Sequence, residues 1–193
     1  MRFESDGQTL VIDPGIWSER SCIDGADVVL ATHEHADHVD QQLVAAAGVA
    51  VFTPAGSQLD ISNTAVEIDA AFQVAGFDVS TVGGQHACVV EHQDPCVNVG
   101  YIINGAHYHP GDALHVPDGP IETLFVPLQA SWLKTSEAID FVHRVAPRRA
   151  IGIHEGQINE RGLAAINHWM SKECDGVYEW LPPGTATELD RLA

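Results

Sequence analysis

Four potential metal ligands fall within six residues at His33, His35, Asp37 and His38, directly behind the apolar run from Asp27 to Thr32. The run reads as a buried strand. His33 and His35 therefore leave its end with extended spacing and point the same way, and Asp37 and His38 turn off at the start of the following helix. The spacing excludes the helix-borne His-Glu-x-x-His site of zinc proteases, whose histidines must lie four residues apart on one helical face. Further candidates each follow a short apolar segment: His86 after Val82-Gly83-Gly84-Gln85, Asp112 in His109-Pro110-Gly111-Asp112, and His154 at the end of Arg149 to Ile153. These are loop positions, where side chains from distant parts of a chain can converge. Imidazole and carboxylate donors without thiolate describe a borderline-to-hard site suited to zinc, manganese or iron.

Together with Asp13-Pro14-Gly15, these segments resemble the His-x-His-x-Asp-His motif and its companions in the metallo-β-lactamase superfamily of binuclear metallohydrolases, and the resemblance covers nearly the whole chain. It implies that His33, His35 and His86 hold one divalent ion, that Asp37, His38 and His154 hold a second, and that Asp112 bridges them. Zinc is the first expectation, with manganese or iron as alternatives. Three protein ligands and a shared carboxylate leave room for water at each ion, which is the coordination of a catalytic site. A water between two cations loses a proton near neutral pH, and the resulting metal-bound hydroxide attacks a carbonyl or phosphoryl centre.

Asp37 is then a candidate catalytic residue that orients the attacking oxygen or accepts its proton. Asp13 is a candidate acceptor behind a ligand imidazole. His109, three residues before Asp112, either supports the ligands or donates a proton to the leaving group. His35 in place of a Glu resembles the hydrolytic members rather than the oxygen-reducing di-iron ones. A bridging Asp112 resembles lactonases, phosphodiesterases and glyoxalase-type hydrolases rather than the antibiotic-cleaving branch. Tyr108 to Asp112 and Pro127 to Trp132 look closest to the branch that includes ascorbate-6-phosphate lactonase. Trp132 could wall the pocket or simply pack. The expected activity is hydrolysis of a small-molecule lactone, ester or phosphoester. The alternatives are a metal-braced binding or scaffold domain and a nucleic-acid phosphodiesterase.

At 193 residues the chain is expected to form one domain over 1–193. The balance of 27 acidic to 9 basic residues, net charge -18, argues against nucleic acid or an anionic membrane as partner, and a phosphodiesterase of nucleic acid would want a basic surface. The only basic cluster, Arg144, Arg148 and Arg149, reads as a solvated patch. Four cysteines without a Cys-x-x-Cys pair read as reduced thiols. No apolar stretch approaches the roughly 18 residues of a spanning helix, so a cytoplasmic location is expected.

To position the ligands, the pattern supplies strands at Thr9 to Ile12, Asp27 to Thr32, Val49 to Phe52, Ala65 to Ile68, Phe77 to Val82, Val97 to Ile103, Thr123 to Val126, Arg149 to Ile153 and Val177 to Trp180, with a strand pair around Tyr101 to Tyr108. Helices fit His38 to Ala47, Thr135 to Ala146 with a Thr or Ser cap, and Asn159 to Met170. The last carries a core stripe of Leu163, Ile166 and Met170 with Trp169 beside it. His92, His107 and His115 read as surface or loop residues. The layering, an α/β four-layer αββα sandwich, comes from the resemblance. Only Met1 to Ser5 precedes the turn at Asp6-Gly7, so the opening strand of that sandwich is expected to be short or missing. A bare sheet edge there could be covered by a second subunit in a homo-oligomer.

Overall fold

A computed structural model describes residues 1–189. The last four residues of the expected 1–193 unit lie outside the described residues. Strands β1 (Arg2–Ser5), β2 (Gln8–Ile12), β3 (Val28–Leu30), β4 (Ala50–Pro54) and β5 (Thr64–Val66) form one sheet in sequence order. A second sheet has the order β12-β11-β10-β9-β8-β7-β6, built from β6 (Ala71–Val74), β7 (Phe77–Gly83), β8 (Val99–Ile103), β9 (His107–His109), β10 (Thr123–Pro127), β11 (Arg149–Ile153) and β12 (Tyr178–Trp180).

The packing clusters give the layers. Leu10, Ile12, Val28 and Leu30 of the first sheet share a core with Phe77, Val79, Tyr101, Phe125 and Ile151 of the second, so the two sheets meet face to face. The outer face of the first sheet, through Val11, Val29 and Val51, packs against Leu43 and Val44 of helix α1 (Gln41–Ala47). The outer face of the second, through Leu124, Val126 and Ala150, packs against α2 (Thr135–Val145) and α3 (Glu160–Glu173). This is the expected αββα sandwich.

Local chemistry moves several boundaries. α1 begins at Gln41 rather than His38, because the Asp40 carboxylate accepts the Gln42 and Leu43 N–H groups at 3.1 and 3.0 Å. The residues before it fold into a turn in which Val39 N–H donates to His35 O at 2.9 Å, and that turn holds the ligand loop closed. In α2 the cap is Lys134, not a Thr or Ser; the Glu137 carboxylate reaches back to accept the Lys134 N–H at 2.8 Å. In α3, Met170 is buried and Leu163 and Ile166 pack half-buried against the core, but Trp169 faces solvent, with the Lys172 ammonium 4.7 Å from its ring. His107 lies buried in β9, not on the surface.

The opening strand is short but present: β1 pairs antiparallel with β2 from Arg2↔Val11 to Ser5↔Gln8 and forms the sheet edge. The pattern missed β6, whose four residues alternate between exposed and half-buried. No helix among the described residues is long and apolar enough to cross a membrane.

Strand direction decides where a site can form. β2 runs parallel to β3, and β9 parallel to β10 and β11. β7 and β9 are each antiparallel to β8 and so share that second direction. Asp13, Thr32, His33, His86, Asp112, Gln129, Trp132 and His154 all lie on loops leaving the carboxyl ends of these strands. In α/β sheets, that is where side chains from separate strands converge on a ligand.

Candidate metal centre

All seven expected ligands come together in overlapping groups. The ligand atoms of His33, His35 and His86 lie within 4.8 Å of one another, as do those of His33, His38 and Asp112, and those of Asp37, His38 and His154. Asp112 sits between the histidines: its Oδ1 is 3.3 Å from both His38 Nε2 and His154 Nε2, and its Oδ2 is 3.3 Å from His86 Nε2. His33, His38, His86 and Asp112 are buried, whereas His35 is exposed and Asp37 half-buried, so the cluster opens on the side of those two.

The outer nitrogens show which way each imidazole faces. His86 Nδ1–H donates to Ala87 O and His154 Nδ1–H to Gln129 O, both at 2.6 Å. His38 Nδ1–H donates to Asp13 Oδ2, also at 2.6 Å. The Thr32 hydroxyl donates to the same Asp13 oxygen at 2.7 Å, which leaves its lone pairs to accept from His33 Nδ1–H at 3.1 Å. Asp13 thus sets the orientation of two histidines, one directly and one through Thr32. Each Nε2 is left to point inward, and His33 Nε2 faces His35 Nδ1 at 3.1 Å while His38 Nε2 faces His154 Nε2 at 3.1 Å. Lone pairs so close repel unless a cation or a proton lies between them.

Protons alone do not satisfy the cluster. Burial lowers the pKa of His38, but the Asp13 charge and the Asp112 and Asp13 carboxylates facing its two ring nitrogens lift it to about 10. Burial also lowers His33, to about 2, with the neighbouring His38 acting in the same direction. Burial raises the Asp13 and Asp112 carboxyls, yet contacts with His38, and at Asp112 also His86, hold both well below the usual carboxylate range. His86 Nε2 and Asp112 Oδ1 remain buried without a hydrogen-bond partner. Orphaned buried polar atoms facing one another across a cluster of imidazoles and a carboxylate fit divalent cations.

The Asp112 turn is tightly built. Asp112 N–H donates to Asn98 Oδ1 at 3.0 Å, and Asn98 Nδ2 donates to Pro110 O at 3.0 Å. Gly111 has φ +64, and a Cβ there would lie 2.3 Å from Asn98 Oδ1 and 2.7 Å from Thr32 Cβ. Sequence reading did not find Asn98; a buried asparagine at a strand start has no signature of its own. Trp132 reaches the cluster directly, because its Nε1–H donates to Asp112 Oδ2 at 3.0 Å. His109 is buried, and its Nδ1 accepts the Gly111 N–H at 3.2 Å. Burial lowers its pKa to about 4 against the lift from Asp13, so a neutral ring supports the Asp112 turn.

Residues 1–154 match the family described as the beta-lactamase superfamily domain. The protein Rv0786c of Mycobacterium tuberculosis is 35% identical over 174 residues, spanning 81% of this chain and 82% of its own length. Igni18, a metallo hydrolase from the archaeon Ignicoccus hospitalis, superposes with a TM-score of 0.71 at 16% identity, across 95% of this chain and 91% of that one. CmlA, a diiron beta-hydroxylase from Streptomyces venezuelae, reaches 0.70 at 13% identity, across 94% of this chain and 51% of its own. One fold carries both a hydrolase and a hydroxylase, so the side chains must decide the chemistry.

Proposed function

The chain belongs to the beta-lactamase superfamily, and from that membership we propose that it is a metal-dependent hydrolase of a small-molecule lactone, ester or phosphoester, working with two ions. The observation that carries this reading is the set of imidazoles anchored through Nδ1, whose inward Nε2 atoms surround the Asp112 carboxylate. His33, His35 and His86 would hold one ion and Asp37, His38 and His154 the other, with Asp112 between them. When bound, the ions would supply the Lewis acidity that acidifies a water and polarises the substrate oxygen. An all-nitrogen-and-oxygen donor set favours zinc, with manganese or iron next.

The chain's own groups complete the arrangement. Asp13 and Thr32 hold His38 and His33 in the ligating tautomer, and Trp132 and Asn98 hold Asp112. Asp37, half-buried on the open side and 3.8 Å from His154 Nε2, would take a proton from the attacking water. His109 keeps the Asp112 turn in place as a positioning residue. All four cysteines are free thiols, which supports a reducing, cytoplasmic setting as part of the same reading.

Elemental analysis of the purified protein, with a panel of generic lactone, ester and phosphoester substrates, tests the proposal. Two ions per chain and chelator-sensitive turnover are expected. Asp112→Ala should abolish turnover while circular dichroism stays unchanged. Full activity in a folded Asp112→Ala protein would remove the bridging role.

A further inference from the structure

Six large apolar side chains are exposed among the described residues: Ile16, Trp17, Ile68, Val89, Val90 and Trp169. Exposed apolar residues scattered singly carry no information, but clustered ones mark binding surfaces. Trp169 lies apart on α3 under the Lys172 ammonium. Four of the other five sit on the loops that carry Asp13 and His86, and Ile68, on the β5–β6 connection, packs against the second of these.

Ile16 and Trp17 follow the Asp13-Pro14-Gly15 turn, and Ile16 N–H donates to Ala36 O at 2.9 Å, between His35 and Asp37. Gly15 lets that loop seat itself against the ligands, since a Cβ there would lie 1.7 Å from Asp37 O. The Trp17 ring lies over Gly156, two residues beyond His154, where a Cβ would meet it at 3.4 Å. Val89 and Val90 follow His86 on a loop tied to the other wall by Ala87 N–H to Asp112 O at 2.8 Å. Ile68 rests on the turn before His86, since a Cβ at Gly84 would lie 2.8 Å from its Cδ1.

Charge narrows the choice. The chain carries a net charge of -18, which repels an anionic substrate approaching its surface. Arg148 and Arg149 are paired with Glu122 and Glu179. They also stand at the opposite end of β11 from His154, about 16 Å away by strand rise.

We propose that these exposed apolar side chains grip the acyl portion of the substrate. The substrate class is then an uncharged carboxylic ester or lactone bearing an apolar chain or ring, not a phosphoester. This inference rests on the hydrolase reading above. Hydrolysis adds one water: its oxygen bonds to the acyl carbon, the bond from that carbon to the alcohol oxygen breaks, and the departing oxygen takes a proton.

The test uses the metal-loaded full chain with p-nitrophenyl acetate, butyrate and octanoate and with bis(p-nitrophenyl) phosphate. The expected result is a kcat/KM that rises roughly tenfold from acetate to octanoate, the effect of about two methylenes leaving water. Trp17→Ala and Val90→Ala should each flatten that octanoate-to-acetate ratio, whereas Trp169→Ala should leave it alone. Esters cleaved without chain-length preference, the phosphodiester as best substrate, or a Trp17→Ala protein that changes oligomeric state but not the ratio would each overturn the acyl grip while leaving the hydrolase reading intact. Absence of chelator-sensitive turnover on every substrate would defeat the hydrolase reading and this inference with it.

Discussion

Replacing Asp13 by Asn should weaken both metal groups at once, although Asp13 is not among the ligands. Its carboxylate accepts three hydrogen bonds, from Thr32 N–H at 2.7 Å, from the Thr32 hydroxyl at 2.7 Å and from His38 Nδ1–H at 2.6 Å. An asparagine keeps one oxygen for the Thr32 N–H but turns an amide NH2 toward two donors. His38 is then free to carry its proton on Nε2, where the lone pair is needed, and the Thr32 hydroxyl no longer holds His33 Nδ1–H. His33 lies in the group with His35 and His86, His38 in the group with Asp37 and His154, and the two meet in a third group with Asp112. Losing the partner that orients a metal-binding imidazole typically lowers metal affinity about 10- to 100-fold, or roughly 1.4 to 2.7 kcal/mol for each ion. Chelator competition on the folded variant, followed by metal analysis, measures the loss. Thr32→Val should weaken the His33 group more than the His38 group, because His38 keeps its own bond to Asp13. An Asp13→Asn protein that binds metal as tightly as the unmodified chain would refute this account of how the imidazoles are oriented.

Trp132→Phe keeps a ring beside His86 but removes the donor to Asp112, and metal affinity should fall about tenfold with the melting temperature little changed, read by chelator competition and circular dichroism. Gly111→Ala should lower stability by about 2 kcal/mol or more in chemical denaturation, since it combines a positive φ with a contact 2.3 Å from Asn98 Oδ1. In the metal-free protein, acid should destabilise the fold between pH 6.5 and about 4. The folded pKa of His109 lies below its unfolded value, so the unfolded chain binds the extra proton as pH falls; the fall to about 4 corresponds to roughly 3 kcal/mol, and His33 acts in the same direction. Denaturation midpoints that stay flat across that window would contradict the neutral, buried state of these rings.

The legible parts of the chain are those with short-range causes. Arg149 to Ile153 reads as a strand and is one, because a short apolar run from Ala150 to Ile153, bounded by Pro147 and the His154 turn, has few other conformations. The loop His33 to His38 announces its chemistry by ligand density alone. Trp169 defeats the helical pattern, since periodicity places it beside the core stripe without saying whether the neighbouring layer extends far enough to cover it. The α1 start was missed for a local reason, an Asp40 that caps where the apolar pattern suggested continuation. Asn98 and the Trp132 contact lay beyond reach, because each depends on a partner 14 or 20 residues away that only the folded sheet brings near.

The centre is held by backbone shape as much as by side chains. Asp13 and His154 each occupy the first position after a strand, and each has a positive φ, 53° and 62°. A left-handed residue there turns the chain sharply off the sheet, so that the side chain swings across the strand end instead of continuing along it. For a histidine that conformation costs on the order of 1 kcal/mol, and the buried unpartnered atoms of His86 and Asp112 add to the cost. Folding alone does not recover these costs, because the cluster's repulsions and orphaned atoms persist in the protein without ions. Divalent ions binding the folded chain and not the unfolded one would offset them and stabilise the fold by mass action. The strain at Asp13 and His154 is therefore best understood as preorganisation: the sandwich presents the candidate ligands already turned inward, and bound metal would complete an arrangement that the two sheets hold open at some cost to their own stability.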